Sequence, residues 1–390
     1  LQIIKISRKN DISGLDLSYL DLRRTTFSHI ICSRKNDESI TAVSFEGSLL
    51  DEWNFRTLGY CGDVSPIRFL KDYDCIAVAD RNQIFIIDFK SQHIIKTFEI
   101  DSDFVQSIAV SSDGRSLACT GIWGEIKEWD LSTGKIITDY HIRDKMLQYV
   151  EYYEDNSIIF VTRDKEICIY NRKEEIHRVL FYFNVNNFVC ENDNTMLITS
   201  RVREVIRYDT RSKSVLEKYS SASTGGGYIT KALCTKDKKS IIGCTKGGYV
   251  LEWEKGQLEP VKIYKVDGDM NSFILSPDEK WIYCVSEQRG LIIIYRSTGN
   301  ISLAGAPCKG RWIDIDADFK NDMLAISGLE GQVVVYSVQT FESHQIKEKS
   351  HEYSLPFLCV EGCSLKNLNA NSEINTTIRC DLIRGGAIVD

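Results

Sequence analysis

A short apolar run that ends on an aromatic or aliphatic residue and then a polar one recurs through the middle of the chain. It stands at 84–88 as Ile84-Phe85-Ile86-Ile87-Asp88, and again at 126–130, 167–171, 205–209, 250–254, 292–296 and 333–337. The copies end at 88, 130, 171, 209, 254, 296 and 337, so the period runs from 38 to 45 residues. A four-stranded propeller blade has that length. The second copy shows the plan of each repeat. Residues 107–110 read as a first strand, Ser111-Ser112-Asp113-Gly114 as a tight turn, 116–120 as a second strand and 126–130 as a third, with Leu131-Ser132-Thr133-Gly134-Lys135 turning into a fourth at 136–140. Asp-Gly and Ser-Thr-Gly supply the positive φ and side-chain-to-backbone bonds that let strands reverse within a few residues. No segment sustains apolar residues at i, i+3, i+4 and i+7 over ten positions, so a helical reading fails. The pattern predicts an all-β, seven-bladed propeller over 59–347.

Composition narrows the function classes. The 390 residues are 43% hydrophobic and 26% charged, enough to bury a core. Lys and Arg number 48 against 55 Asp and Glu, a net charge of −7. That balance argues against wholesale coating of nucleic acid, which needs a positive surface. The 13 Cys are scattered singly and read as reduced thiols of a cytoplasmic protein. Cys359 and Cys363 are spaced C-x-x-x-C without a suitable His, so no metal site and no cofactor is expected. The apolar start, residues 1–6, is too short for a signal peptide or membrane span. The first residue is Leu, which suggests an excerpt of a longer protein or a processed one.

The repeats resemble the WD-repeat family through Ser111-Ser112-Asp113-Gly114, Glu128-Trp129-Asp130 and Leu275-Ser276-Pro277-Asp278-Glu279-Lys280, over about residues 59–347. The family's Gly-His dipeptide survives only as Gly59-Tyr60, and its Asp six residues before the aromatic only as Asp164. The His-Asp network that fastens a typical blade is therefore mostly missing, and apolar packing between blades is expected to hold them. Ring closure calls for a strand from one terminus to complete the other's blade, with residues 54–58 and 342–347 competing for that place. Residues 39–58 could instead begin an eighth blade.

A second period flanks the propeller. Leu17, Leu22 and Phe27 are five apart, as are Phe45, Leu50 and Phe55, and Val360, Leu365 and Ala370. This is similar to pentapeptide repeats, which coil into a square β-helix. Three repeats make less than one coil, so residues 1–58 and 348–390 are expected to form caps over propeller edges. The two flanks around such a core resemble the C-terminal portion of bacterial NACHT-type STAND NTPases. The carrying residues are 11–23 before the propeller, and Gly362-Cys363-Ser364-Leu365 and Leu382-Ile383-Arg384-Gly385-Gly386 after it. The resemblance implies a sensor whose repeats bind a trigger and release an upstream NTPase, in bacterial antiphage defence. The chain holds no G-x-x-x-x-G-K-[ST] loop, so the switch itself would lie upstream.

No linear catalytic motif is present, and the six His, at 29, 93, 141, 177, 344 and 351, are far apart. No catalytic residue is expected, and the chain reads as a non-enzyme. The loops between second and third strands, on the face called top, carry Arg81, Arg163, Arg201, Arg203, Lys246 and Arg289, with Trp123 and Glu330 completing the ring. The opposite turns carry Asp72, Asp74, Asp113, Asp193, Asp278 and Asp322. The sequence therefore predicts a basic top and an acidic bottom, with the top docking a protein partner that presents an anionic surface. Trp123 and Trp312 would be its aromatic anchors. The favoured reading is a sensing module; the rivals are a general WD40 scaffold and a propeller hydrolase.

Overall fold

The computed structural model describes residues 66–338 apart from 71, 81, 90–93, 103, 154–156, 173, 175, 183, 193, 305–311 and 329–331. It also describes 346–354 and, in the N-terminal flank, 16–18, 22, 33–36, 39–42, 44 and 48. Residues 54–58 and the Cys359/Cys363 pair lie outside these. Contacts divide the chain into two compact units, 61–353 and a second made of 1–60 with 354–390.

The first unit holds seven four-stranded antiparallel sheets, each made of consecutive strands, and among the described residues there is no α-helix. Blade two shows the pattern: Val105–Val110, Ser116–Gly121, Glu125–Asp130 and Ile136–His141. All seven sequence repeats fall in third strands. They are buried on both faces, as strands sandwiched between blades must be, and several read as continuous apolar runs. First strands of neighbouring blades touch in cyclic order, the seventh against the first, so the ring closes. The apolar core is a chain of sandwiches: one cluster joins blades one and two through Ile84, Phe98, Ile108 and Trp129, and others follow between successive blades. Fourth strands face outward, with Ile94, Ile95, Ile136, Ile137, Val215 and Leu216 exposed.

No strand is exchanged to close the ring. Blade one is Ile67–Leu70, Cys75–Asp80, Gln83–Asp88 and Ile94–Glu99, and blade seven is Trp312–Asp318, Met323–Gly328, Gln332–Val338 and Ile346–Ser354. The outer strand of blade seven comes from the C-terminal side and overlaps the candidate 342–347, while the competing 54–58 lie outside the described residues. Closure falls instead to side chains on the first strands. Asp314 and Asp316 of blade seven accept hydrogen bonds from the backbone N–H groups of Ile67 (3.4 Å) and Phe69 (2.8 Å), and Arg68 donates to Asp314 at 2.7 Å.

A bulge near the start of the first strand in blades two to seven aims polar residues sideways. Asn186 donates to the Ile229 carbonyl (2.9 Å), Thr230 to that of Met270 (3.0 Å) and Asn271 to that of Trp312 (2.6 Å). Each bond links one blade to the next at the inner rim.

Packing is not the only force between blades. Glu128, fully buried on blade two's third strand, takes bonds from Thr138 (2.9 Å), Tyr152 of blade three (2.8 Å) and Arg172 just beyond that blade's third strand. Glu252 of blade five grips Arg296 of blade six through both carboxylate oxygens, at 2.7 and 3.0 Å. Burial pushes the Glu252 carboxyl up, but Arg296 and Lys262 outweigh it and hold it below the usual value. These staples replace the family's missing network at two junctions.

In the second unit, Asp16 and Ser44 form a parallel bridge, the Leu17 N–H donates to the Ser44 carbonyl at 2.9 Å, and Ser48 donates back to the Leu17 carbonyl at 2.6 Å. A parallel step between the two five-residue-period segments is what stacked coils require. The hairpin of Ser33–Asn36 and Ser39–Ala42 lies between them in sequence.

Glu252→Ala leaves Arg296 without its carboxylate partner, and breaking a largely buried pair costs about 3 kcal/mol. The expected result is a clear drop in melting temperature, partly recovered in the Glu252→Ala, Arg296→Leu double variant. Equal melting of Glu252→Ala and wild type would refute the staple.

Candidate partner-binding face

Two sets of loops meet on the top face. In blades two, three, five and six the loop between second and third strands bonds the connection that enters that blade: Ile122 N–H to Phe104 O (3.0 Å), Arg163 N–H to Met146 O (2.7 Å), Lys246 N–H to Tyr228 O (3.0 Å) and Glu287 N–H to Asp269 O (2.9 Å). The basic loops therefore stand beside Asp101, Asp144, Asp267 and Asp269. The bottom likewise gathers Lys135, Arg172, Arg211, Lys213 and Lys255 from its second set of turns. The expected basic-over-acidic dipole is corrected by this pairing, because the sequence reading counted one loop set per face.

The bottom acids also do structural work. Asp113, Asp237 and Asp278 each accept from the Ser or Thr two residues before them, at 2.6 to 2.7 Å, and from the backbone two residues after. The Ser111 bond holds Asp113 below the usual carboxylate range. Their recurrence is turn chemistry.

The predicted site residues separate into groups. Arg81 and Glu330 lie outside the described residues. Trp312 is corrected: it is 1% exposed and packs between blades six and seven with Tyr283, Leu291 and Ile315, so no partner reaches its ring. The blade's first-strand bulge begins at Trp312 and turns the side chain into the core. Lys246 is half-buried and neutralised by Glu287 (3.0 Å), with a bond to Asn271 (2.6 Å), and Arg289 pairs with Asp267 (3.3 Å). Trp123 is exposed on the blade-two loop.

Arg163, Arg201 and Arg203 differ from these. All three are exposed, and none has a carboxylate partner among the described residues; Arg163 touches only the Met146 sulfur, at 3.5 Å. Asp164 and Glu166, the nearest acids in sequence, are both taken by Lys145 at 3.0 Å. Val202, between two of the arginines, is 59% exposed, and Tyr182 at the end of blade three's fourth strand is 69% exposed. The structure thus gathers a basic and apolar arc on blades three and four.

A second constellation, missed in the sequence, lies on the first strands around the axis. Arg68, Tyr149, Glu151, Lys231, Asp314 and Asp316 are half-buried there and interact electrostatically. Burial pushes Glu151 and Asp316 above the usual carboxylate range despite Arg68, whereas for Asp314 Arg68 and Lys231 outweigh burial and hold it low. Alternation on the first strands, as in Trp312-Ile313-Asp314-Ile315-Asp316, is the signal that could have found them. Among the described residues no group of three or more His, Cys, Asp or Glu is placed to hold a metal ion. The buried thiols are poor nucleophiles, with burial raising Cys75 and Cys244 to about 11.

No protein-family model and no curated protein matches the chain. Among solved structures it is similar to the β-propeller domain of Myceliophteria thermophila Cps50 (Swd1), with a TM-score of 0.60 and 16% identity over 71% of this chain and 97% of that one. The fold is a seven-bladed WD40-type propeller. At 16% identity the likeness carries the fold alone.

Glu151 supplies a pH test. A carboxyl whose native pKa is raised favours the folded state only while protonated, so its ionised form weakens the fold above that pKa. Glu151→Gln should raise the melting temperature at pH 7.5 and leave it unchanged well below the ordinary glutamate value of 4.5. A lower melting temperature at pH 7.5 would show that the charge stabilises the ring.

Proposed function

We propose that the chain is a non-catalytic protein-recognition module whose top face receives its partner through the arc of blades three and four. The observation that carries this reading is the set of three exposed arginines without carboxylate partners in a chain of net charge −7. Uncompensated guanidinium groups beside exposed apolar side chains are the makings of an interface.

At a finer level we read the module as the sensing end of a NACHT-type NTPase of bacterial defence, cytoplasmic, with the switch upstream. Two features favour this over a general scaffold: the resemblance of both flanks to that architecture, and the grouping of residues 1–60 with 354–390 into one unit.

Two measurements test these levels. Tagged full-length protein should retain a partner from phage-infected but not uninfected cells, with recovery falling at least tenfold for the Arg163→Glu, Arg203→Glu variant. Equal recovery by variant and wild type would remove the arc from the interface. The full-length gene should encode a G-x-x-x-x-G-K-[ST] loop before this region, and its absence would leave the scaffold reading.

A further inference from the structure

Resting on the recognition reading, we propose that the arc on blades three and four binds an extended acidic segment of a partner protein, with single carboxylates spaced among apolar residues. Four cations stand on adjacent loops, Arg163 and Lys165 on blade three, Arg201 and Arg203 on blade four. No acidic side chain neutralises them among the described residues.

The cause lies in the length of one connection. The top loops of blades two, three, five and six meet the connection that enters their own blade, and in blade six that connection holds Asp267, which neutralises Arg289. Blade four is entered through only two residues, Phe183 and Asn184, between Tyr182 and Val185. Its loop is left with arginines and no acid in the connection facing them. Arg201 also acts electrostatically on Tyr149 of the inner strand, so the basic surface extends toward the axis.

The chemistry of the occupant follows from what interrupts the charge. Val202 is exposed between Arg201 and Arg203, and Trp123 and Tyr182 are exposed on the neighbouring top-face ends of blades two and three. An apolar side chain of the partner gains by covering these, while its carboxylates take the guanidinium groups bidentately. A continuous phosphate chain fits less well, because exposed apolar side chains interrupt the cations and the chain as a whole is negative.

The backbone allows a clean test. Lys165 and Arg203 hold φ of 74° and 66°, where the corresponding loops of blades two, five and six place Gly124, Gly248 and Gly290. The same conformation elsewhere is filled without regard to charge, by Asp74, Lys238 and Glu279, so the fold does not select the cation. A non-glycine residue is strained there, so glycine removes the charge without loosening the loop.

The experiment is selection of random twelve-residue peptides on the immobilised protein, run in parallel on an Arg163→Ala, Arg201→Ala, Lys165→Gly, Arg203→Gly variant. The expected result is enrichment of acidic peptides carrying an apolar residue, with affinity at least tenfold weaker for the variant and weakening with salt. The Lys165→Gly and Arg203→Gly changes alone should each raise the melting temperature by about 2 °C, which shows that the loss is not unfolding. Arc-dependent enrichment of neutral or basic peptides overturns the acidic occupant while the recognition reading stands. Enrichment identical on the variant, or none at all, overturns the arc as a peptide site. A fluorescent single-stranded DNA bound more tightly than the peptides, and lost in the variant, would assign the arc to nucleic acid instead.

Discussion

The ring must close without an exchanged strand, and the rest of the propeller depends on how it does so. Every blade is built from consecutive strands, so the last junction, between blades seven and one, has no local chain connection and no shared sheet. Each first strand also turns an unpaired edge toward the axis, where backbone N–H and C=O groups need partners. Asp314 and Asp316 meet both demands by accepting from the edge of blade one, and Arg68 offsets part of their charge. Elsewhere in the ring neutral Asn186, Thr230 and Asn271 suffice, donating to carbonyls. At the closing junction the first-strand N–H groups donate to carboxylates, and such charge-assisted bonds are stronger than neutral pairs.

That choice has an electrostatic consequence around the axis. Three carboxylates, Glu151, Asp314 and Asp316, face two cations, Arg68 and Lys231, in a partly desolvated space. The two cations cannot satisfy all three, so Asp314 is stabilised in its charged form and the other two are not. The acid stability of closure follows Asp314: a depressed carboxyl contributes above its ordinary value of 3.8 and loses that contribution as pH falls through its native one. Glu151 and Asp316 work in the opposite direction.

The third strands were legible in the sequence because they are local and repeat every 40 residues or so, and the Ser/Thr-x-Asp turns because their chemistry sits within six residues. What was not legible joins residues far apart. Arg68 and Asp314 are 246 positions apart, and only the ring brings them together. Glu128 and Arg172, and Glu252 and Arg296, share a spacing of 44, one repeat plus a small offset, which a search for staples between neighbouring repeats would have found. Trp312, expected as an aromatic anchor at the start of blade seven, is instead buried between blades six and seven, a packing that only the neighbouring blade reveals. On the top face the partners of Lys246 and Arg289 are Glu287, 41 residues downstream, and Asp267, 22 residues upstream, and neither loop shows its partner locally.

The same rule explains why a nearly sevenfold frame carries a one-sided surface. Neutralisation on the top face is settled between neighbouring loops, Arg289 by the connection that enters its own blade and Lys246 by Glu287 on the loop of the next blade. Where that connection holds an acid, as Asp267 does for blade six, a basic loop becomes a local ion pair that offers a partner little. Where it shrinks to Phe183 and Asn184, no such pair forms and the charge of Arg201 and Arg203 stays in solvent. Blade three reaches a similar end by another route, because Lys145 captures Asp164 and Glu166 and leaves Arg163 with a methionine sulfur. Two unrelated local arrangements on adjacent blades thus leave cations exposed side by side. The fold itself gains nothing from this, since unneutralised like charges on neighbouring loops repel, and a bound carboxylate would relieve that repulsion.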